Sequence, residues 1–412
     1  MVKIAIMGYG VVGSGVYEVI RRNCESITRK AGQPIDIKYI LDIRDFPEHP
    51  ENELFIKEFD TILKDEEISI IVEVMGGLEP AYAYTKAALS KSKNVVTSNK
   101  ELVATYGDEL LQLAHDNGVC YLFEASVGGG IPIIRPLNQC LAANEITEIV
   151  GILNGTTNYI LTQMIKKGVS FEDALSDAQK KGYAERNPAA DVEGYDACRK
   201  ICILASLATG KKIEYQKVHT EGITGLTLRD TGYADELGSV IKLLGYCKRL
   251  ENGKVDIKVA PMMVEEEEPL ATVAGVYNGI QVRGNAIGDA MFYGPGAGKL
   301  PTASAVVGDV IDLVKNPRAG RVLWVKTDED LVQDTDQSRS AFFVRIATDE
   351  RVPEGAKGQA FSAIKALFGE VTVIDKYEDE LGFLTAVISE GDLKAKLTSL
   401  PYRVIGFIRV LA

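Results

Sequence analysis

The stretch GYAERNPAADVEGYDACRK, residues 182–200, sets the carboxylates of Glu185, Asp191, Glu193 and Asp196 ahead of a basic pair, Arg199 and Lys200. Carboxylates accept hydrogen bonds from a cationic ligand, and a lysine can take or give a proton or steady an oxygen that gains negative charge. Asp196 and Lys200 are four residues apart, so on a helix both project from one face. An exposed salt bridge explains that pair as simply. It explains neither Glu185 nor the Asn187-Pro188 break that redirects the chain. Histidine is scarce, with only His49, His115 and His219, none in a convincing motif. Proton transfer by histidine is therefore disfavoured, and lysine and carboxylate chemistry comes forward.

A second group of residues could hold phosphate. VKIAIMGYGVVGSGVYEVIRR reads as a buried strand, a glycine turn and a helix, with Gly8, Gly10 and Gly13 in the GxGxxG spacing and Tyr9, Val11 and Val12 between them. The first glycine permits the tight turn, the second lets a pyrophosphate approach the backbone, and the third lets helix and strand pack closely. A structural glycine turn is the alternative. IDIKYILDIRD, residues 35–45, looks like the second strand, whose end selects the ribose: Asp42 and Asp45 suit a 2′-hydroxyl, Arg44 a 2′-phosphate.

These residues need strands to carry them. SIIVEVMGG (69–77) and NVVTSNKELVA (94–104) continue an alternation of apolar strands and helices, the pattern of a doubly wound parallel sheet. Gly76, Gly77 and Lys100 then fall at strand carboxyl ends, where ligands collect; a solvated helix terminus is the plainer account of Lys100. YLFEASVGGGIPIIRPL (121–137) follows a strand with three glycines whose carbonyls could turn toward a hard cation, with Glu124 adding charge, or could form a hinge. YGPGAGKLPTASAVVGDVIDLVK (293–315) is a second glycine loop whose helix is expected to return to the nucleotide domain.

From about residue 138 the pattern becomes mixed. EITEIVGILNGTTNYIL (145–161) reads as a strand entering a helix through Asn and Thr suited to capping, helices follow to about 210, and strand-like pieces lie at 255–264 and 273–293. Residues 339–412 read in the order β-α-β-β-α-β, the ferredoxin-like arrangement, separated by the polar linker DEDLVQDTDQS (328–338). The fold expected is α/β: a Rossmann domain over 1–135 completed by about 303–325, a middle mixed α/β substrate and dimerisation domain over 136–302, and a separate C-terminal unit over 339–412.

At 412 residues the chain is long enough for two or three cores. A net charge of −12 argues against nucleic acid or an anionic membrane as partner. Six cysteines lie scattered without metal-ligand spacing, and neither a signal peptide nor a membrane span is read, so a reduced, cytoplasmic setting is expected.

AQKKGYAERNPAADVEGYDACRK (178–200) resembles the signature of homoserine dehydrogenases, with an Ala, a Gly-aromatic pair, Asn-Pro, an Asp, Gly-x-Asp and a final Lys at the family spacing. GYGVVGSG, TSNK, EASVGGGIP, NGTTNYIL and GPGAGKLPTASAVVGD agree, so the resemblance covers essentially residues 1–325. It implies NAD(P)-dependent interconversion of L-homoserine and L-aspartate 4-semialdehyde. It further implies Lys200 as the catalytic lysine, Lys100 as a second lysine near substrate and nicotinamide, and Glu185 and Asp196 as substrate carboxylates. The cofactor contacts implied are Gly8, Tyr9, Gly10, Val11, Val12, Gly13, Arg44, Gly76, Lys100 and Gly298; the choice between NADP and NAD is open, leaning to NADP. Glu124 with the carbonyls of Val127, Gly129 and Ile131 is implied as a site for Na⁺ or K⁺. A lysine partly desolvated beside another cation has its pKa lowered toward neutrality, which would let Lys200 work in both directions. A homodimer or dimer-based assembly through the middle domain is expected.

The C-terminal unit resembles an ACT domain, which implies an amino-acid effector. It departs from that pattern at RVPEGAKGQAF (351–361), where a Pro-Gly turn is usual. Because the matched catalytic residues all precede it, a chain ending near Val325 is expected to keep turnover if it folds. Two rival readings remain in view. An acylating semialdehyde dehydrogenase would require a nucleophilic cysteine in an activating loop, and none of the cysteines has that setting. A nucleotide-binding regulator without chemistry would not need Lys100, Glu185, Asp196 and Lys200 together.

Overall fold

Apolar runs of four to seven residues alternate with amphipathic segments from the first residue on. The computed structural model describes residues 1–316, 323–348 and 356–411. Strand β1 (Val2–Met7) leads into helices α1 (Val11–Arg22) and α2 (Cys24–Ala31). There follow β2 (Ile35–Leu41), β3 (Phe55–Ile56), α3 (Phe59–Lys64), β4 (Ile68–Glu73), α4 (Ala81–Ser90), β5 (Asn94–Thr97), α5 (Lys100–Asp116) and β6 (Tyr121–Leu122). Next come β7 (Ile146–Ile152), α6 (Gly155–Lys167), α7 (Phe171–Lys180), α8 (Ala189–Val192), α9 (Tyr195–Thr209), β8 (His219–Thr220), α10 (Leu228–Glu236), β9 (Ser239–Arg249), β10 (Val255–Glu265), β11 (Tyr277–Gly284), β12 (Gly288–Pro295) and α11 (Lys299–Lys315). The chain closes with β13 (Arg339–Ala347), α12 (Ala356–Phe368), β14 (Thr372–Ile374), β15 (Glu380–Leu384), β16 (Ile388–Ser389), α13 (Glu390–Ser399) and β17 (Val404–Val410). It divides into two compact units.

The first unit comprises Met1–Ile149, Arg199–Gln216 and Val282–Glu329. Its six strands pair in the order β3-β2-β1-β4-β5-β6, all parallel. A parallel sheet covered on both faces needs strands apolar on both sides, and Ile4, Ala5, Ile6 and Met7 of β1 are all fully buried. Helix α11 packs on α1: a Cβ on Gly15 would lie 2.6 Å from the Lys299 carbonyl oxygen. Ala303, Val306, Val307 and Val310 share the core of β1 and β2.

The second unit comprises Val150–Cys198, Lys217–Gln281 and Asp330–Ala412. β9 and β10 form an antiparallel ladder eleven residues long. β17 joins β10 in parallel, Arg409 opposite Met262 and Val410 opposite Met263. The sheet continues β17-β13-β15-β14, each of these pairs antiparallel. Residues 339–412 are expected as a separate unit; their strands continue the β9-β10 sheet through the β10–β17 pairing. The expected linker is anchored as well. The Leu331 carbonyl accepts from the Val255 amide, the Gln333 amide donates to Val255, and Leu331 is buried. Residues 351–355 of the 351–361 stretch lie outside the described residues.

Candidate active site

The glycine loop answers three separate steric demands. Gly8 has φ +98° and donates its amide to the Leu41 carbonyl. Gly10, which caps α1, would project a Cβ into open space, whereas a Cβ on Gly13 would sit 1.9 Å from the Gly8 carbonyl oxygen. Space is thus kept at the loop's second glycine, before the free amides at the start of α1 where Val11 and Val12 lie, and closeness is demanded at the third. The Tyr9 amide donates to the Asp42 carboxylate at 2.8 Å. Arg44 closes on the same carboxylate through its Nε and Nη2 and also reaches the Tyr9 carbonyl. Arg44 holds the carboxyl of Asp42 at about 2, although burial alone would raise it. The Asp42 side chain is 7% exposed and that of Arg44 57%, so the charge presented at the end of β2 is the cation.

Lys100 is the first residue of α5, directly after its cap. Asn99 accepts from the Leu102 amide through Oδ1 and donates through Nδ2 to the Gly77 carbonyl at 2.6 Å. Gly76 and Gly77 both have positive φ. Glu73, wholly buried at the end of β4, accepts from the Thr97 hydroxyl and the Met75 amide. Burial pushes its carboxyl up, against those hydrogen bonds. Glu73, Thr97 and Asn99 therefore fix the turn and the lysine together. Of these only Asn99 carried a signal, an Asn just before an apolar-periodic helix.

Helix α9 carries Asp196 and Lys200 one turn apart, 6% and 8% exposed. A solvated surface pair is excluded by that burial. Arg199 Nη2 donates to Glu101 Oε1 at 3.1 Å, so the residues next to Lys200 and next to Lys100 are ion-paired and the two lysines spring from neighbouring helix turns. The two carboxylates of the stretch that are drawn together are Asp191 and Asp196. Asn154 donates its Nδ2 to Asp191 at 2.7 Å and to Asp196 at 2.9 Å while its Oδ1 caps α6 at the Thr157 amide. Thr156 of the same turn donates to the Tyr183 carbonyl at 2.7 Å. NGTTN thus holds the 182–196 stretch near both ends, a role its capping residues did not announce. Glu185 is exposed, its backbone carbonyl taken by Gln179, and stands outside the Asn154 cluster.

Glu124 is buried, and its carboxylate accepts from the amides of Ile133, Ile134 and Arg135 at 2.6–2.8 Å. Its own amide donates to Asp309, which pairs with Arg135. Burial and the nearby Glu124 charge push Asp309 up to about 7, although Arg135 pulls it down. The 127–131 turn is tight: Gly129 has φ +58°, and a Cβ on it would lie 2.2 Å from the Gly296 carbonyl oxygen. Among the described residues the carbonyls of Val127, Gly129 and Ile131 accept no hydrogen bond. No group of three or more His, Cys, Asp and Glu side chains suited to a metal occurs among the described residues. Gly298, at φ +124°, caps α11 in the second glycine loop. Cys120 is buried, and burial, with Asp312, pushes its thiol up to about 11, which removes it as a nucleophile.

Comparison with known proteins points to one family. A family model described as homoserine dehydrogenase matches residues 132–311, and one described as homoserine dehydrogenase, NAD binding domain, matches residues 8–124. The chain is 38% identical over 417 residues to a homoserine dehydrogenase of Neisseria gonorrhoeae, covering 97% of this chain and 95% of that one. It is similar to a solved homoserine dehydrogenase from Thiobacillus denitrificans at TM-score 0.91 and 35% identity, covering 100% and 98% of the two chains. A hyperthermophilic archaeal homoserine dehydrogenase in complex with NADPH is similar at TM-score 0.66 and 29% identity over 77% of this chain and 99% of its own.

Proposed function

This chain belongs to the homoserine dehydrogenase family, and we propose how its own residues perform that chemistry. It is an oxidoreductase that interconverts L-homoserine and L-aspartate 4-semialdehyde with a nicotinamide cofactor. The bound dinucleotide supplies the hydride acceptor or donor. Lys200 takes the proton of the substrate hydroxyl as the carbon is oxidised and returns it in reduction. Lys100, from the neighbouring helix turn, adds positive charge that stabilises alkoxide character at that oxygen. Asp196 and Glu185 bind the substrate ammonium, Glu185 as the exposed arm that meets it from solvent. The observation that carries this reading is the buried face of α9, where Asp196, held by Asn154, precedes Lys200 by one turn.

The cofactor reading is NADP over NAD, since Asp42 is taken up by Tyr9 and Arg44 and the exposed Arg44 suits a 2′-phosphate. Gly8, Tyr9, Gly10, Val11, Val12 and Gly13 form the pyrophosphate cradle, with Gly76, Lys100 and Gly298 on the nicotinamide side. Na⁺ or K⁺ fits the hard carbonyl oxygens of Val127, Gly129 and Ile131. Glu124, whose carboxylate is taken by three amides, contributes charge and holds the turn. Two copies pair through the 136–302 region, for which β12 ends its sheet with Tyr293 57% exposed. Residues 339–412 act as an ACT-like module for an amino-acid effector, a reading supported by their βαββαβ order. The enzyme works in the cytoplasm, in keeping with six scattered cysteines at no metal-ligand spacing; no helix among the described residues is long and apolar enough to cross a membrane.

Steady-state kinetics test the assignment. Lys200→Ala removes the proton-transfer group, so kcat should fall by roughly 10²-fold or more with cofactor binding retained. Glu185→Gln should chiefly raise KM for homoserine, by the equivalent of about 1.5–3 kcal/mol. A folded Lys200→Ala enzyme with near wild-type kcat overturns the mechanism.

A further inference from the structure

The 182–196 stretch is held from a second side by residues far along the chain. Gly222 leaves no room for a side chain: a Cβ there would lie 2.2 Å from the Val192 carbonyl oxygen and 2.6 Å from Glu193 Cα. That same carbonyl accepts from the Ile223 amide at 2.8 Å. Gly194, at φ +84°, would with a Cβ press on Val259 and Thr220 at 3.1 and 3.2 Å. Its carbonyl accepts from the Cys198 amide in an early turn of α9. The turn at 192–194 is therefore seated on the backbone of 220–223, and where it sits determines where α9, with Asp196, begins.

The 220–223 backbone is itself tied down. The Glu221 amide donates to the Val259 carbonyl at 2.8 Å, and the Glu221 carboxylate accepts from Arg409 Nη1 at 2.7 Å. Arg409 Nη2 lies 3.2 Å from His219 Nε2. Arg409 comes from β17 and is 2% exposed; Glu390, 1% exposed at the start of α13, accepts from its Nε and Nη2, both at 2.9 Å. A guanidinium so buried is tolerable only while its carboxylates stay in place. Burial would raise the Glu221 carboxyl, but the neighbouring His219, 3.6 Å away, and the Arg409 charge outweigh it and hold it below the usual range.

We propose that Glu221, locked by Arg409 of the C-terminal strand, is a positioning residue for substrate binding, because it fixes the backbone on which the 192–194 turn and hence Asp196 are set. The inference rests on the reading of Asp196 as a substrate carboxylate. It places the last strand of the chain two contacts from the substrate stretch, a physical route by which events in β17 and α13 reach that stretch.

The test is steady-state kinetics on the full-length enzyme with Glu221→Gln, Glu221→Asp and Asp196→Asn. Glu221→Gln keeps the shape and removes one of the two carboxylate charges paired with Arg409, the other being Glu390. KM for homoserine should rise roughly threefold to thirtyfold, the span that changes along a packed network produce. Its kcat should stay within about twofold and KM for the dinucleotide should not move. Glu221→Asp keeps the charge and should recover part of the loss, which a general loss of stability would not do. If Glu221→Gln does not fold, Glu221→Asp and Arg409→Lys carry the same KM measurement. An unchanged KM for homoserine in folded Glu221 variants, with Asp196→Asn raising it, overturns this inference alone. An unchanged KM in Asp196→Asn overturns the substrate reading, and with it the route through α9.

Discussion

Asn154→Asp and Asn154→Ala should rank in an order that no helix cap predicts. Asn154 does two jobs: its Oδ1 caps α6 at the Thr157 amide, 2.9 Å away, and its Nδ2 bridges Asp191 and Asp196 at 2.7 and 2.9 Å. Losing the cap costs about 1 kcal/mol. Losing a hydrogen bond to a carboxylate costs about 1.5–3 kcal/mol, most of it where water cannot replace the donor. Asp196 is 6% exposed, while Asp191 is only partly buried and can recover its share from solvent. Asn154→Ala should therefore destabilise by about 2.5–4 kcal/mol, the sum of the cap and one buried carboxylate bond. Asp is as good a cap as Asn, but Asn154→Asp places a third carboxylate against two others. It should be at least as destabilising as Ala at neutral pH, and should recover in mild acid, where protonation restores a donor. Urea unfolding followed by circular dichroism, with KM for homoserine on the folded fraction, reads both effects. An Asn154→Asp enzyme as stable as wild type, beside an Ala variant down by only the cap's share, refutes the bridge.

Three further outcomes are expected. Arg44→Ala should raise KM for NADP by about tenfold with KM for NAD little changed, as loss of a single charge-assisted contact to phosphate implies; an equal change for both cofactors, read by steady-state kinetics, counts against a phosphate role. Burial, with Lys166 adding repulsion, pushes Lys242 down from 10.5 to about 8. Its contribution to stability is then present above pH 10.5 and lost as pH falls through 8. Lys242→Met should therefore gain on wild type between pH 10 and pH 7, and a pH-independent difference in unfolding midpoint would contradict this. A chain ended near Val325 should fold poorly, since it exposes the β10 edge and strips Arg345 from Asp230, a pair at 2.7 Å; a soluble product that melts like the full chain would show that β17 is dispensable to the second unit.

The glycine loop and the parallel alternation were legible because their demands are local. A turn that needs positive φ at Gly8, and a helix that must approach a strand at Gly13, are written within six residues. The Asp196–Lys200 pair was legible as a helix face, but its burial was not. What held out of reach were side chains that act across the chain. Asn154 could be recognised as a cap, but its partners lie 37 and 42 residues away. At the end of β2 both signs of charge were present, and only burial shows that Asp42 is consumed internally while Arg44 faces out. Charge in a sequence does not announce burial, and the second unit buries the most of it. Arg345 is bound by Asp230 and Glu380, Arg409 by Glu390, and Lys258 by Asp256, all of them buried. A polar linker and an independent module were the natural expectation there. Yet a buried cation cannot be parted from its carboxylates without leaving a charge uncompensated, so Arg345 ties β13 to α10 through Asp230 and Arg409 ties β17 to α13 through Glu390. The polar linker and the strand order from which a separate unit was read carry no sign of these pairs, whose members lie up to 115 residues apart.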